Sequence, residues 1–269
     1  MNRQLIFQVC LGAAKYSKLY RHCIQSVQDY CLKHGFDHHV QVEPILKIKP
    51  DIFVTNRSPE SYEKHGGYLP IYEKENAFDW FAKGYDSIAI IDSDIYIRPD
   101  APNIFDDLGS NYDFGAVVER DMPIHARYAM KIKNYSHMQY TPLTDVKWEW
   151  NDWGAKFYNM GLIVMNKSVM EFLNGETARQ FISRSEFKRF VDGLNNWKWS
   201  TDQTLLNWWV KKETDMRVKD MSWKWNALYS AVKDDHISEA NFVHFFLKDK
   251  LPAQGENIEE LMKDINHGN

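Results

Sequence analysis

Along the first half of the chain, short apolar runs alternate with stretches of helical periodicity. Gln4–Cys10 reads as a strand, followed by a turn at Gly12. From about Lys15 to Lys33, Leu19, Cys23, Val27, Tyr30 and Cys31 recur at close to helical spacing. That pattern predicts a helix with one buried face, and Gly35 supplies its stop. His38–Val42 reads as a short second strand. Residues 43–69 carry Pro44, Pro50, Pro59 and Gly66-Gly67 and read as an irregular loop. Pro70 then opens a helix running to about Lys83, with Gly84 as its cap.

The next apolar, β-branched run starts at Ser87 and reads as a buried strand. Pro99–Leu108 predicts a short helix, and Tyr112–Glu119 and Met160–Asn166 predict strands. Residues 121–158 lack clear periodicity and are rich in Tyr, Trp, Met and His, which marks a functional segment inside a compact domain. Helical stretches cover Ser168–Phe190 and Thr201–Lys212, the latter with Ser200 or Thr201 as N-cap. Asn241–Leu247 reads as a final strand and Glu256–Ile265 as a terminal amphipathic helix. The alternation predicts a single α/β domain over residues 1–269, its mostly parallel central sheet flanked by helices.

Composition narrows the picture only slightly. With 44% hydrophobic residues the chain can build one sizeable core, and a net charge of -4 gives no electrostatic reason to expect nucleic acid. Ten Trp are many: most should fill core, while one in a cleft would stack on a sugar ring. Cys10, Cys23 and Cys31 form an odd set without metal spacing, so free thiols are expected. No apolar run approaches the roughly 18 residues of a membrane span, and no signal peptide precedes the first strand. The expectation is a cytoplasmic protein without a membrane span.

Candidate chemistry concentrates at Asp92-Ser93-Asp94, where the buried run meets two carboxylates separated by one small residue. On a continuing strand both would face the same way, about 7 Å apart. Such a pair repels unless a cation sits beside it, and hard oxygen ligands suit Mn²⁺ or Mg²⁺ with substrate phosphates completing the shell. In open α/β sheets, ligands bind at the carboxyl ends of the strands, which is where this pair falls. Taken alone, the tripeptide reads equally well as a solvated strand exit.

Further residues follow in order: Asn159 and Gly161 as N-x-G, then Asp202-Gln203 with Asn207, Lys224-Trp225-Asn226, His244, and Lys250 six residues later. This ordered set resembles GT-A-type nucleotide-sugar glycosyltransferases. Within them it is similar to glycosyltransferase family 8, the glycogenin-like and lipopolysaccharide-galactosyltransferase-like enzymes. The resemblance runs from the first strand to about Pro252. It departs at Leu247, where the family has glycine, and at Lys250-Leu251-Pro252, which replaces a Lys-Pro-Trp ending.

The resemblance implies a UDP-sugar donor, a carbohydrate or glycoconjugate acceptor, and transfer of a hexose, glucose or galactose, with retention. Residues 1–110 would form the nucleotide-sugar half, residues 111–255 the acceptor-side and metal-completing half, and 256–269 a terminal helix. His244 would join Asp92 and Asp94 as third ligand of Mn²⁺ or Mg²⁺; read without that context it is a core histidine. Cys10, Leu11, Gly12, Ala13 and Tyr16 would hold the nucleoside, helped by Ser93. Lys74, Lys248 and Lys250 would reach the diphosphate or sugar, although each also reads as a surface lysine. Asn159 and Gly161 would belong to the sugar pocket, and Asp202 and Gln203 would carry the catalytic role. Asp202 also reads simply as a first-turn acid of its helix.

An inverting enzyme would need a base, for which Glu119, Asp121, Glu149 and Asp152 are candidates. Two other classes remain open, a metal-dependent nucleotidyltransferase and a non-catalytic sugar-binding protein. Residues 56–69 and 121–158 are expected to close over bound donor.

Overall fold

The computed structural model describes residues 2–52, 63, 65–199 and 201–267. Most of the expected closing loop 56–69, and Ser200, lie outside the described residues. The strands are β1 (Gln4–Val9), β2 (Asp37–Gln41), β3 (Ser87–Ile91), β4 (Ile95–Ile97), β5 (Phe114–Val118), β6 (Trp150–Asn151), β7 (Gly154–Ala155), β8 (Tyr158–Asn166), β9 (Val218–Met221), β10 (Ala227–Leu228) and β11 (Phe242–His244). Six form the central sheet in the order β2-β1-β3-β8-β5-β9. β8 runs antiparallel to both its neighbours, and the remaining pairs are parallel. The architecture is α/β, as the alternation predicts.

Side-chain alternation along the strands divides the core between the two faces of the sheet. Leu5 and Phe7 of β1, with Ile88 and Ile90 of β3, pack on one side with Phe78, Phe81 and Trp209. Ile6, Ala89 and Ile91 face the other side, against Leu19, Cys23 and Val27 of the helix Lys18–His34. Every one of these residues is buried; at about 1.5–3 kcal/mol per large apolar side chain, this two-sided burial is the main stabilising contribution. The cysteines are free and buried, as expected. Among the described residues, no helix is long and apolar enough to cross a membrane.

Several expectations are corrected. The first helix starts at Lys18, after a 3₁₀ turn over Gly12–Tyr16, because Ser17 takes the N-cap position. Glu256 accepts from the Ser17 hydroxyl and the Lys18 amide there. Pro70–Lys83 is wound with 3₁₀ hydrogen bonds. Ser168–Phe190 is not one helix: it breaks at Asn174 and Gly175, both at positive φ. The segment 121–158 is ordered rather than an open loop. It contains the helix Ala126–Tyr140 and the β6–β7 hairpin. Its periodicity was hidden because the buried face includes Ser136 and Gln139 beside Ala129, Ile132 and Tyr140.

A second sheet matters more for the site. β4 pairs antiparallel with β11, and β10 pairs parallel with β11, so His244 lies directly opposite Ile95. This small sheet brings the last strand to the exit of β3.

Candidate active site

β3 ends at Ile91, and Asp92, Ser93 and Asp94 form the tight turn into β4. The two carboxylates therefore do not sit on one face of a continuing strand, as alternation implied. They converge because the turn is pinned on both sides. The Asp92 amide donates to the Gly161 carbonyl at 2.8 Å, and the Phe245 amide donates to the Asp94 carbonyl at 2.9 Å. Gln8 adds a third anchor: this fully buried polar residue of β1 donates to the Asp92 carbonyl at 3.4 Å and accepts from His38 at 2.9 Å.

Ligand atoms of Asp92, Asp94 and His244 all lie within 4.8 Å of one another. The His244 Nε2 is 3.2 Å from Asp94 and 3.9 Å from Asp92. Burial opposes charge on the imidazole, but Asp94 outweighs it and raises the His244 pKa above the ordinary histidine value. Burial pushes the Asp92 carboxyl up, whereas at Asp94 the histidine overcomes burial and holds the carboxyl below the usual range. Two carboxylates and one imidazole nitrogen fit a divalent cation such as Mn²⁺.

The other imidazole nitrogen is already engaged. His244 Nδ1 lies 3.0 Å from Asn226 Oδ1, which can only accept, so Nδ1 carries a proton and Nε2 is the nitrogen facing the carboxylates, whose lone pair a metal would take in place of a proton. Asn226 in turn donates to Asn159 Oδ1 at 2.9 Å, and Asn159 donates to Glu119 at 3.0 Å. Tyr128 donates to the other Glu119 oxygen at 2.9 Å. Asn226, Asn159 and Glu119 are buried, and burial pushes the Glu119 carboxyl up despite these donors.

Gly161 belongs to the same construction. A Cβ there would lie 2.4 Å from a carbon of the His244 ring, so any side chain would displace the imidazole. The backbone around it is released from the ladder by a bulge: Ala116 pairs with Ile163, yet Val117 pairs with Asn159. The freed Met160 groups bond to side chains, its carbonyl accepting from Lys74 at 2.6 Å and its amide donating to Gln203 at 3.3 Å.

Lys74 Nζ also lies 2.8 Å from Asp202 and 3.2 Å from Asp92. Burial works against this ammonium, but Asp202 and Asp92 outweigh it and keep it charged above the ordinary lysine range. Asp202 thus does more than open its helix Asp202–Lys212, whose cap is the Thr201 side chain. Asn207, one turn along, closes two hydrogen bonds with the Tyr158 backbone and fixes the helix against β8. Next to Lys74 is Glu75, fully buried, with no hydrogen-bond partner for either oxygen among the described residues. Burial, reinforced by Asp202, pushes its carboxyl well up.

The structure thus gathers Asp92, Asp94, His244, Lys74, Asn159, Gly161, Asp202 and Gln203 around one bulge and one turn. Cys10 and Ser93 are both buried, and burial pushes the Cys10 thiol up. Leu11 is half-buried, Gly12 adopts a φ of 59°, and Ala13 follows in the same 3₁₀ turn. Tyr16 is 72% exposed, with the Lys15 ammonium 5.6 Å from its ring centre. Lys248 is held by Ser17 and Glu256, above the Tyr20 ring, and Lys250 is exposed beside Asp249. Neither lysine joins the cluster. Of the four candidate bases only Glu119 is part of the site: Glu149 pairs with Lys211, Asp121 with Arg120, and Asp152 is exposed.

Sequence reasoning gave no role to Asn226, Gln8, His38 or Tyr128. A signal existed for Gln8, a polar residue inside an apolar strand. Asn226 was visible only as part of an ordered motif.

The fold has counterparts among solved structures. A glycosyltransferase involved in glycosylation of the major capsid of PBCV-1 matches 96% of this chain and 99% of its own, at TM-score 0.57 and 14% identity. The galactosyltransferase LgtC, solved with donor and acceptor sugar analogs, matches 97% of this chain and 95% of its own, at TM-score 0.53 and 12% identity. No protein-family model and no curated protein sequence matches the chain. At such identities the likeness establishes the fold, which is the GT-A type seen in these glycosyltransferases.

Proposed function

We propose that this protein is a metal-dependent glycosyltransferase that moves a hexose, glucose or galactose, from a UDP-sugar to a carbohydrate or glycoconjugate acceptor. The observation that carries the reading is the Asp92–Asp94–His244 cluster at the exit of β3, with the Lys74–Asp202 pair and Gln203 beside it on the β8 bulge. Asp92, Asp94 and His244 would hold Mn²⁺, which when bound supplies positive charge to a departing diphosphate. Lys74 places a second, fixed positive charge on the same side. Asp202 holds that ammonium and offers its carboxylate to donor hydroxyls, and Gln203 is positioned at the bulge where the transferred sugar would lie. Cys10 to Tyr16 would border the nucleoside.

Retention is the stereochemistry this arrangement favours. Inversion needs a free carboxylate facing the acceptor, and Glu119 has both oxygens occupied by Asn159 and Tyr128.

The test is release of UDP from UDP-glucose or UDP-galactose with and without Mn²⁺. Release should require the metal and disappear in Asp94→Ala while the circular dichroism spectrum is unchanged. Metal-independent release in the parent, or full activity in the variant, would sink the assignment. Analysis of the anomeric product by NMR reads the stereochemistry separately.

A further inference from the structure

Behind Tyr128 the surface opens into a cleft of about 990 Å³. Its position ties it to the site. Tyr128 lines the cleft and donates to Glu119 of the buried chain ending at His244. The Phe246 ring lies 5.7 Å from the Tyr128 ring and 5.9 Å from that of His244. The cleft thus borders side chains that pack directly on a residue of the metal cluster.

Charge on the cleft walls is uneven. Arg127, Met130, Lys131 and Asn134 line it from one face of the helix Ala126–Tyr140, at the i, i+3, i+4 and i+7 spacing of a single stripe. All four are exposed. Among the described residues neither Arg127 nor Lys131 has a carboxylate within ion-pair distance; Lys131 has only the Tyr128 ring, 5.9 Å away. Two acids line the cleft as well: Asp264 accepts from Tyr229, and Asp234 lies 3.9 Å from His125. Neither acid pairs with Arg127 or Lys131, so among the described residues these two cations face the cleft without an ion-pair partner, while Lys250 of the same lining is paired with Asp249. Leu247 also lines the cleft, 38% exposed and held at a φ of 57°, a left-handed conformation that leucine rarely adopts.

We infer that this cleft receives the acceptor, and that the acceptor is an anionic sugar, one bearing a carboxylate or phosphate that Arg127 and Lys131 recognise. The inference rests on the proposed glycosyl transfer and adds the substrate class. Arg127 offers a planar fork of donors and Lys131 a point charge, a pair suited to one carboxylate or phosphate group. Leu247, Met130 and the tyrosine rings give apolar faces against which a sugar ring can lie.

The test uses the full chain with Mn²⁺, with UDP for the binding measurements and UDP-glucose or UDP-galactose as donor for transfer, and glucuronic acid, a hexose phosphate and neutral glucose as acceptor probes. Saturation-transfer NMR and transfer assays compare the parent with the doubly substituted Arg127→Gln, Lys131→Gln protein. Both sites are on an exposed helix face, so the variant should fold. The parent should prefer the anionic probes over glucose by about tenfold or more, with the preference weakening as salt rises. In the variant the KM for the anionic probes should rise about tenfold while that for glucose stays put. Equal use of charged and neutral probes, or a preference that survives the double substitution, overturns the inference. Binding of anionic phospholipid vesicles through the same two residues, with no preference among sugars, also overturns it in favour of a membrane surface. Absence of UDP release from any donor would instead count against the transferase reading, and the NMR binding comparison would still judge the cleft.

Discussion

Gly161 and Asn226 act on the same imidazole from two sides. A methyl group at 161 would have to occupy the space of the His244 ring, 2.4 Å from one of its carbons. Gly161→Ala should therefore weaken Mn²⁺ binding by tenfold or more and lower stability by about 1–3 kcal/mol, as overpacking does. Asn226→Leu removes the acceptor that fixes the Nδ1 proton, and loss of such a partner commonly costs about 10–100-fold in metal affinity. Asn226→Asp keeps an oxygen for that proton and should lose less. Manganese EPR titrations of folded protein read all three variants. Equal affinities in Asn226→Leu and the parent would show that the imidazole is held some other way.

At the scale of elements, the bulge in β8 and the start of the helix Asp202–Lys212 form one unit. Lys74 and Asp202 are a buried ion pair, with side chains 12% and 9% exposed. Lys74→Met would strand the Asp202 carboxylate without its partner, a change of about 3–5 kcal/mol in stability. Gln203→Ala gives up the bond to the Met160 amide and removes no charge, so its fold should survive while turnover falls and UDP affinity holds. Melting temperature and turnover measured together separate these outcomes. A Gln203→Ala protein with parental turnover would reduce Gln203 to a bulge support. The sequence marked Asp202 and Gln203 as candidates, but the Lys74 pairing could not be read from it, because the partners are 128 positions apart and meet only when their two segments pack on the same face of the sheet.

For the whole molecule, pH response follows from His38, which shares a hydrogen bond with Gln8 behind the Asp92 turn. Burial lowers its pKa from 6.5 to about 4. Between those values the unfolded chain binds a proton that the folded protein does not. Stability contributed at this position is therefore present above pH 6.5 and lost as pH falls toward about 4. Thermal melts across that window should show a declining midpoint, and His38→Gln should flatten the decline. An identical slope in the variant would place the acid sensitivity elsewhere.

Local pattern was enough for the strands β1, β3, β5 and β8, for the helix Lys18–His34 and for the α/β class, because burial on both faces of a sheet writes continuous apolar runs into the chain. It also exposed Asp92 and Asp94, since acids at the end of such a run are conspicuous. The helix Ala126–Tyr140 escaped because polar Ser136 and Gln139 sit on its buried face, where neighbours satisfy them. The site itself was settled by tertiary structure. His244 reaches Asp94 only through the β4–β11 pairing, and the imidazole tautomer depends on Asn226 and Asn159 from two further elements. Those contacts join residues from 18 to 150 positions apart, and no periodicity of 2 or 3.6 residues carries information over such distances.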